Sequence, residues 1–381
     1  MLGTFIEKHR QLLCWAGIVV AIVVALILLI PTMGSKGPSN DIPSGSVDVS
    51  TTTASDLSNN TTEEAPPIST TIQTSKTNAT TTLTSKTSWA PIEGKQYFTD
   101  LQFSRGFLSD SNTYLKFDDN SQTPMWALGQ NDSKHLISSA KMVVNTDGSR
   151  EYTNLGKTIR MYDSYGSKAL QLAVYGDKEY DRPRQDGEAW PHLLIGQVLS
   201  KRVLTPIHKY DKLIYSMDVK IGNVENCMSK EDYEPGAHCA QTTAYLTIQN
   251  LQSGSSGFGD YIWFGIPIYD SRSTFPAEFY LLDEGGKHDA TGKIIYVLGG
   301  QDFLDRQYGG INPADGEWAH CEVDILPFVK QALETAQKAG HMKNTTFSDL
   351  RIGEFNIGWE VTGTFRCSMD IKNISLIGVT D

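Results

Sequence analysis

The densest run of reactive side chains is Tyr180-Asp181-Arg182-Pro183-Arg184-Gln185-Asp186-Gly187-Glu188-Ala189-Trp190-Pro191-His192. Guanidinium forks grip carboxylates bidentately, and an indole face accepts the C–H face of a sugar ring. Arg182, Arg184, Trp190 and His192 are therefore the first candidates for holding a glycan. A subset also suits β-elimination on a uronate. Arg184 and Gln197 would neutralise the carboxylate while His192 or a tyrosine takes the proton. The competing reading is a salt-bridged loop in which Trp190 covers an edge of the core.

Two further segments carry candidates. Glu322 and Asp324 alternate in Glu317-Trp318-Ala319-His320-Cys321-Glu322-Val323-Asp324, so on a strand they share a face. The piece resembles part of the Glu-x-Asp-x-x-Glu signature of jelly-roll glucanases, the group that includes laminarinases. That resemblance implies a concanavalin A-like jelly roll and glycoside hydrolysis by paired carboxylates. The last Glu of the signature, its general acid, falls here on Leu326 or Pro327. The stretch Arg351–Phe365 looks like the final hairpin of carbohydrate-binding jelly-roll modules. The resemblance adds Trp359 and Glu360 to the glycan-binding candidates.

Other chemistries lack their residues. No Asp-x-Asp clamp for a metal-bound nucleotide and no Gly-x-Ser-x-Gly elbow occurs. No Cys-x-x-Cys occurs, and His238 and His320 merely adjoin cysteines, so no metal site is expected. Glu231-Asp232 and Asp283-Glu284 lack fixed ligand spacing and read as solvated loops; a structural calcium is the only ion the sequence leaves room for, and no other cofactor is implied.

Positioning these residues falls to strands. Leu213, Tyr215, Met217, Val219 and Ile221 alternate with Ser216, Asp218 and Lys220, and Phe365, Cys367, Met369 and Ile371 repeat the pattern. Period-two alternation means half-buried strands. Similar segments run over Ala169–Tyr175, His192–Leu199, Thr243–Leu251, Tyr261–Ile266, Lys293–Leu298, Trp318–Leu326 and Leu350–Ile357. One helix is predicted after Pro327, with Phe328, Val329, Ala332, Leu333 and Ala336 as its apolar stripe and Gly340 at its end. The expected fold of residues 91–381 is all-β: two antiparallel sheets face to face, a jelly roll with one short helix.

Cys227, Cys239, Cys321 and Cys367 form an even set that suggests two disulfides. Three pairings are open; Cys227–Cys239 across an acidic loop and Cys321–Cys367 between two strands are favoured. Sequons at Asn131, Asn344 and Asn373 mark expected surface sites for N-glycans.

The N-terminal part reads differently. Leu12–Ile30 holds no charged residue and is long enough to cross a bilayer as a helix. Lys8 and Arg10 precede it, so residues 1–11 are expected in the cytoplasm and the rest outside the cell or in a lumen. Residues 31–90, rich in Ser and Thr and with sequons at Asn59, Asn60 and Asn78, read as a disordered, glycosylated stalk. A formal charge of −11 repels polyphosphate and argues against nucleic-acid partners.

The expectation is a single-pass membrane protein that displays a glycan-binding, lectin-like domain. The alternatives are a polysaccharide lyase or glycoside hydrolase on the same scaffold, and an adhesion ectodomain that binds protein. Location at the plasma membrane or in the Golgi is left open.

Overall fold

The computed structural model describes residues 92–119, 121–185, 187–283, 291–300 and 316–380. The expected anchor (12–30), the stalk and the sequons at Asn59, Asn60 and Asn78 lie outside these residues. Among the described residues, no helix is long and apolar enough to cross a membrane.

In chain order the first elements are β1 (Lys95–Gln96), β2 (Phe107–Ser109), β3 (Tyr114–Leu115), β4 (Trp126–Gly129), β5 (Met142–Val144), β6 (Arg150–Thr153), β7 (Lys157–Ser164), β8 (Ser167–Tyr175) and the single turn α1 (Gly176–Glu179). Next come β9 (His192–Val198), β10 (Lys212–Asn226), β11 (Ala240–Asn250), β12 (Tyr261–Asp270), β13 (Phe279–Leu282) and β14 (Ile294–Val297). The last are β15 (Ala319–Asp324), α2 (Leu326–Lys338), β16 (Leu350–Val361) and β17 (Phe365–Val379).

The strands form two sheets, as the alternation requires. Among the described residues, one runs β15-β10-β17-β8-β7-β6-β5, with β1 also on β17, and the other runs β13-β14-β12-β11-β16-β9-β4-β2-β3. Most pairs are antiparallel; β2·β4 and β12·β14 are parallel. On β10 the residues Leu213, Tyr215, Met217, Val219 and Ile221 are all buried. Burial of each such side chain is worth about 1.5–3 kcal/mol, which is why register follows the apolar phase. The inner faces meet in one core that includes Leu172, Phe264, Ile357 and Trp359. An aromatic group closes one end of it, with Phe98 and Phe355 edge to face at 4.7 Å and Phe103 at 5.3 Å from Trp126.

The helix forms where expected. Pro327 lies in its first turn, and Val329, Ala332, Leu333 and Ala336 are buried. Asp324 Oδ1 accepts from the backbone N–H of Leu326 at its start. Gly340, at φ +93°, takes the left-handed conformation that ends it.

The disulfide expectation needs correction, because all four cysteines are free thiols. Cys321 stands opposite Met217, whereas Cys367 stands opposite Val224. Seven positions along β10 are roughly 20 Å, far beyond the ~7 Å Cα limit of a disulfide. Cys227 Sγ turns to the Glu225 carbonyl at 3.9 Å and Cys239 Sγ to Gln241 Oε1 at 3.8 Å, not to each other. Count and compartment suggested bridges, but register decides reach.

A buried ion pair ties the start of β7 to α1. Lys157 and Glu179 are both almost fully enclosed and directly bonded. Glu179 also accepts from the backbone N–H groups of Lys134 (2.6 Å) and His135 (3.2 Å). Burial pushes the Lys157 ammonium below its ordinary range, and Glu179 partly restores it.

Candidate active site on the outer face of the nine-stranded sheet

Register places a row of functional side chains on the face of the nine-stranded sheet that points away from the core. On β16, Phe355, Ile357, Trp359 and Val361 are buried in the core. Glu354, Asn356 and Glu360 alternate with them and take the opposite face. Thr243, Tyr245, Thr247 and Gln249 of β11 lie beside them, followed by Tyr261, Trp263 and Gly265 of β12. Gly265 is needed here, because a Cβ would stand 2.9 Å from Tyr245 Cε1 and 2.8 Å from Val297 Cγ2. Its absence lets the Tyr245 ring lie along the floor.

The two carboxylates of β16 sit in opposite environments. Glu360 is sunk at one end, with His192 Nε2 at 3.3 Å and the Gln241 amide donating at 2.9 Å. Burial pushes its carboxyl up, but the bonds from His192 and Gln241 outweigh burial and leave it below the ordinary carboxylate range. Glu354 has no ion-pair partner among the described residues. Burial pushes its carboxyl up to about 7, with only the field of Lys201 opposing. Its backbone N–H is held by Thr247 Oγ1 at 2.7 Å. Six residues of strand separate the two carboxylates by roughly 20 Å, too far to act on one glycosidic bond.

An aromatic ladder runs beside Glu354. Tyr261 and Tyr245 meet Trp263 edge to face, at 5.6 and 6.3 Å. Trp263 Nε1 donates to Thr291 Oγ1 at 3.2 Å, and Thr291 in turn donates to Asp283. Burial raises the Tyr261 hydroxyl to about 12, against a bond with Thr291, and the Asp283 and Glu354 carboxylates push the same way as burial. A carboxyl that keeps its proton near neutrality, a second carboxylate whose field reaches the same tyrosine, and aromatic edges make a surface suited to acid–base work on a hydroxyl-rich ligand.

The residues singled out from sequence divide into two groups. Arg184, Trp190, His192 and Glu360 come together at the Glu360 end. The Arg184 guanidinium lies 5.1 Å from the Trp190 ring centre, and Trp190 lies 5.7 Å from His192. The Arg184 side chain donates to the carbonyls of Glu188 (2.7 Å) and Ala237 (3.4 Å). Arg182 stays exposed and pairs with Glu188.

Trp359 and Gln197 are corrections. Trp359 is fully buried on the core side and donates to the Leu172 carbonyl at 3.0 Å, so it offers no platform to a sugar. Gln197 also points inward, accepting from Thr99 N–H and donating to its carbonyl. With Gln197 in the core, the Arg184, His192 and Gln197 set does not assemble into a lyase centre. Glu322 and Asp324 are remote as well, on edge strand β15 of the other sheet, where Asp324 serves the start of α2. No group of three or more His, Cys, Asp or Glu able to hold a metal occurs among the described residues. Asn344 and Asn373 are exposed and Asn131 is half-buried.

Glu354, Tyr245, Tyr261 and Trp263 do not stand out as site residues in the sequence, and Asp283 reads there only as part of a solvated acidic pair. A signal existed in Gly353-Glu354-Phe355-Asn356-Ile357, where the carboxylate falls out of phase with the buried residues of a long strand.

No protein-family model and no curated protein matches the chain. Among solved structures it is similar to the family 11 xylanase from Neocallimastix patriciarum, at 10% identity over 63% of this chain and 95% of that one, with a TM-score of 0.33. It is also similar to the family 12 xyloglucanase from Bacillus licheniformis, at 10% identity over 66% and 100% and a TM-score of 0.34. An endoglucanase from Rhodothermus marinus matches at 8% identity over 66% and 99%, with a TM-score of 0.31. Likenesses of this size carry no argument about what this chain binds or cleaves. The two-sheet β-sandwich itself rests on the strand pairing above.

Proposed function

We propose that this protein is a glycoside hydrolase that lays a neutral polysaccharide across the outer face of the nine-stranded sheet. The observation that carries this reading is Glu354, a half-buried, unpaired carboxyl held near pH 7 beside the Tyr261–Trp263–Tyr245 ladder. A proton donor for a leaving sugar oxygen needs such a value, since a carboxyl at its ordinary 4.5 would already be ionised. Asp283, whose field reaches Tyr261 together with that of Glu354, is the candidate for the second carboxylate that hydrolysis requires. The ligand is taken as neutral because Arg272 pairs with Asp270 and Lys293 with Asp260, so that Lys201, whose field reaches Glu354, is left as the nearby cation. A lectin-like role is the second reading, favoured by the half-buried Trp190 beside Arg184 and His192. In either role the domain would be held outside the cell or in a lumen by residues 12–30, a reading supported by the uncharged run behind Lys8 and Arg10.

The test is release of reducing ends from β-glucans, xylans and mannans by the wild-type protein and by Glu354→Gln. Cleavage that falls about 10²–10⁴-fold in the variant supports the assignment. Equal cleavage by both removes Glu354 from the chemistry. Polymer that is bound but left intact by the wild type moves the reading to a lectin.

A further inference from the structure

The outer face of the other sheet carries a second cluster that the proposed hydrolase does not use. Lys372 of β17 is 7% exposed, yet no carboxylate lies within ion-pair distance of it among the described residues. The neighbouring charges are already committed. Asp370 takes Lys220 at 3.1 Å and the Gln171 amide at 3.0 Å. Asp218 takes His320 Nδ1 and Asn373 Nδ2, each at 2.7 Å. Among the described residues the Lys372 ammonium has one hydrogen-bond acceptor, Ser164 Oγ at 3.3 Å, so an ammonium with three donors is mostly unmet there.

Two aromatic rings frame that ammonium. It sits 4.3 Å from the centre of the Trp318 ring and 5.2 Å from that of Tyr165. Lys220 lies 5.4 Å from the same indole, which places both lysines over the Trp318 ring. Tyr165 is 95% exposed in the two-residue turn between β7 and β8. Its φ of +51° is one that a bulky residue adopts only under strain, and the position ordinarily takes Asn or Gly. A strained, exposed tyrosine beside a half-buried tryptophan and an unmet ammonium is poorly explained by packing. Together they supply what an acidic sugar needs: ring faces for its C–H surface and a cation for its carboxylate.

We propose that Lys372, Trp318 and Tyr165 form a second saccharide site, selective for a sugar bearing a carboxylate, on the outer face of the eight-stranded sheet. It lies across the thickness of the sandwich from Glu354 and is independent of the hydrolase reading. Burial and the nearby Lys220 lower the Lys372 ammonium, whereas Asp218 supports its charge, so an arriving carboxylate would strengthen the protonated form.

The test is calorimetric titration of the full-length protein with oligogalacturonate, and with a neutral oligogalactoside of equal length. The wild type is expected to bind the acidic probe at least about tenfold more tightly than the neutral one. Lys372→Met is expected to weaken acidic binding about tenfold or more. Tyr165→Asn is expected to weaken it several-fold while leaving melting unchanged or raised, since Asn suits the turn. The proposal is overturned if the acidic probe gives no binding, if the neutral probe binds equally well, or if both variants bind like the wild type. Weaker binding by Tyr165→Asn accompanied by a lower melting temperature would also overturn it, by making Tyr165 a folding residue.

Discussion

Replacing Glu354 by glutamine keeps the shape of the side chain and removes its charge. Below about pH 4.5 the carboxyl is protonated in both the folded and the unfolded chain, so it costs the fold nothing. As pH rises, the unfolded chain releases its proton first, while the folded chain holds it until about 7. The folded state therefore loses stability through that window, and the loss is complete above it. At about 1.4 kcal/mol per pH unit over this window, the full penalty is about 3.5 kcal/mol. For a domain of this size that corresponds to roughly 5 °C of melting temperature. Glu354→Gln should therefore melt like the wild type near about pH 4 and several degrees above it near about pH 8.5. Differential scanning fluorimetry across that range reads the difference directly. A difference that is constant with pH, or one that shrinks as pH rises, refutes the assignment of Glu354 as a carboxyl that burial keeps protonated.

Other outcomes follow from the same geometry. Polymer cleavage, where measured, should decline as pH rises above about 7, because Glu354 then loses the proton it donates; a rate that keeps climbing there contradicts its role as the acid. Lys157→Met should cost about 3–5 kcal/mol in urea unfolding, because it strands the buried Glu179 carboxylate. The double change Lys157→Met with Glu179→Leu should recover much of that loss. Trp359→Ala should cost about 3–5 kcal/mol as a core deletion, while Trp190→Ala should weaken glycan binding with a much smaller change in melting. Of the four sandwich thiols, Cys227 alone should react rapidly with a thiol reagent under native conditions, and reductant should leave melting unchanged.

Much of the sandwich is legible in the sequence because its long strands bury one face and expose the other. β10, β16 and β17 announce themselves through Leu213–Ile221, Leu350–Ile357 and Phe365–Ile371. The strands between residues 95 and 153 do not, because β1 to β6 run for only two to four residues and take their place from neighbours rather than from their own pattern. The site is less legible for a related reason. Trp359 and Gln197 carry the right chemistry, but a one-residue difference in phase decides whether a side chain meets ligand or core. Glu354 has the right phase and an ordinary sequence context, and what makes it distinctive is burial by distant parts of the chain. The Cys321–Cys367 expectation failed because spacing along the chain says nothing of where two partners fall along a third strand.

The parallel pairing of β12 with β14 bears on how the molecule opens. A hairpin keeps its partner close in sequence, whereas a parallel partner must return by a crossover. Beyond β12, among the described residues, two four-residue strands hang at the edge of the sheet, with β13 exposed along its length. Such an edge should yield early in native-state fluctuations, well below the free energy that unfolds β10 and β17. Backbone amides of β13 and β14 should then exchange with deuterium long before those of the central strands. Because Trp263 is tethered to Thr291 on this fringe, each such opening would also loosen one wall of the aromatic ladder. The sandwich would stay intact while its working surface fluctuates at that border.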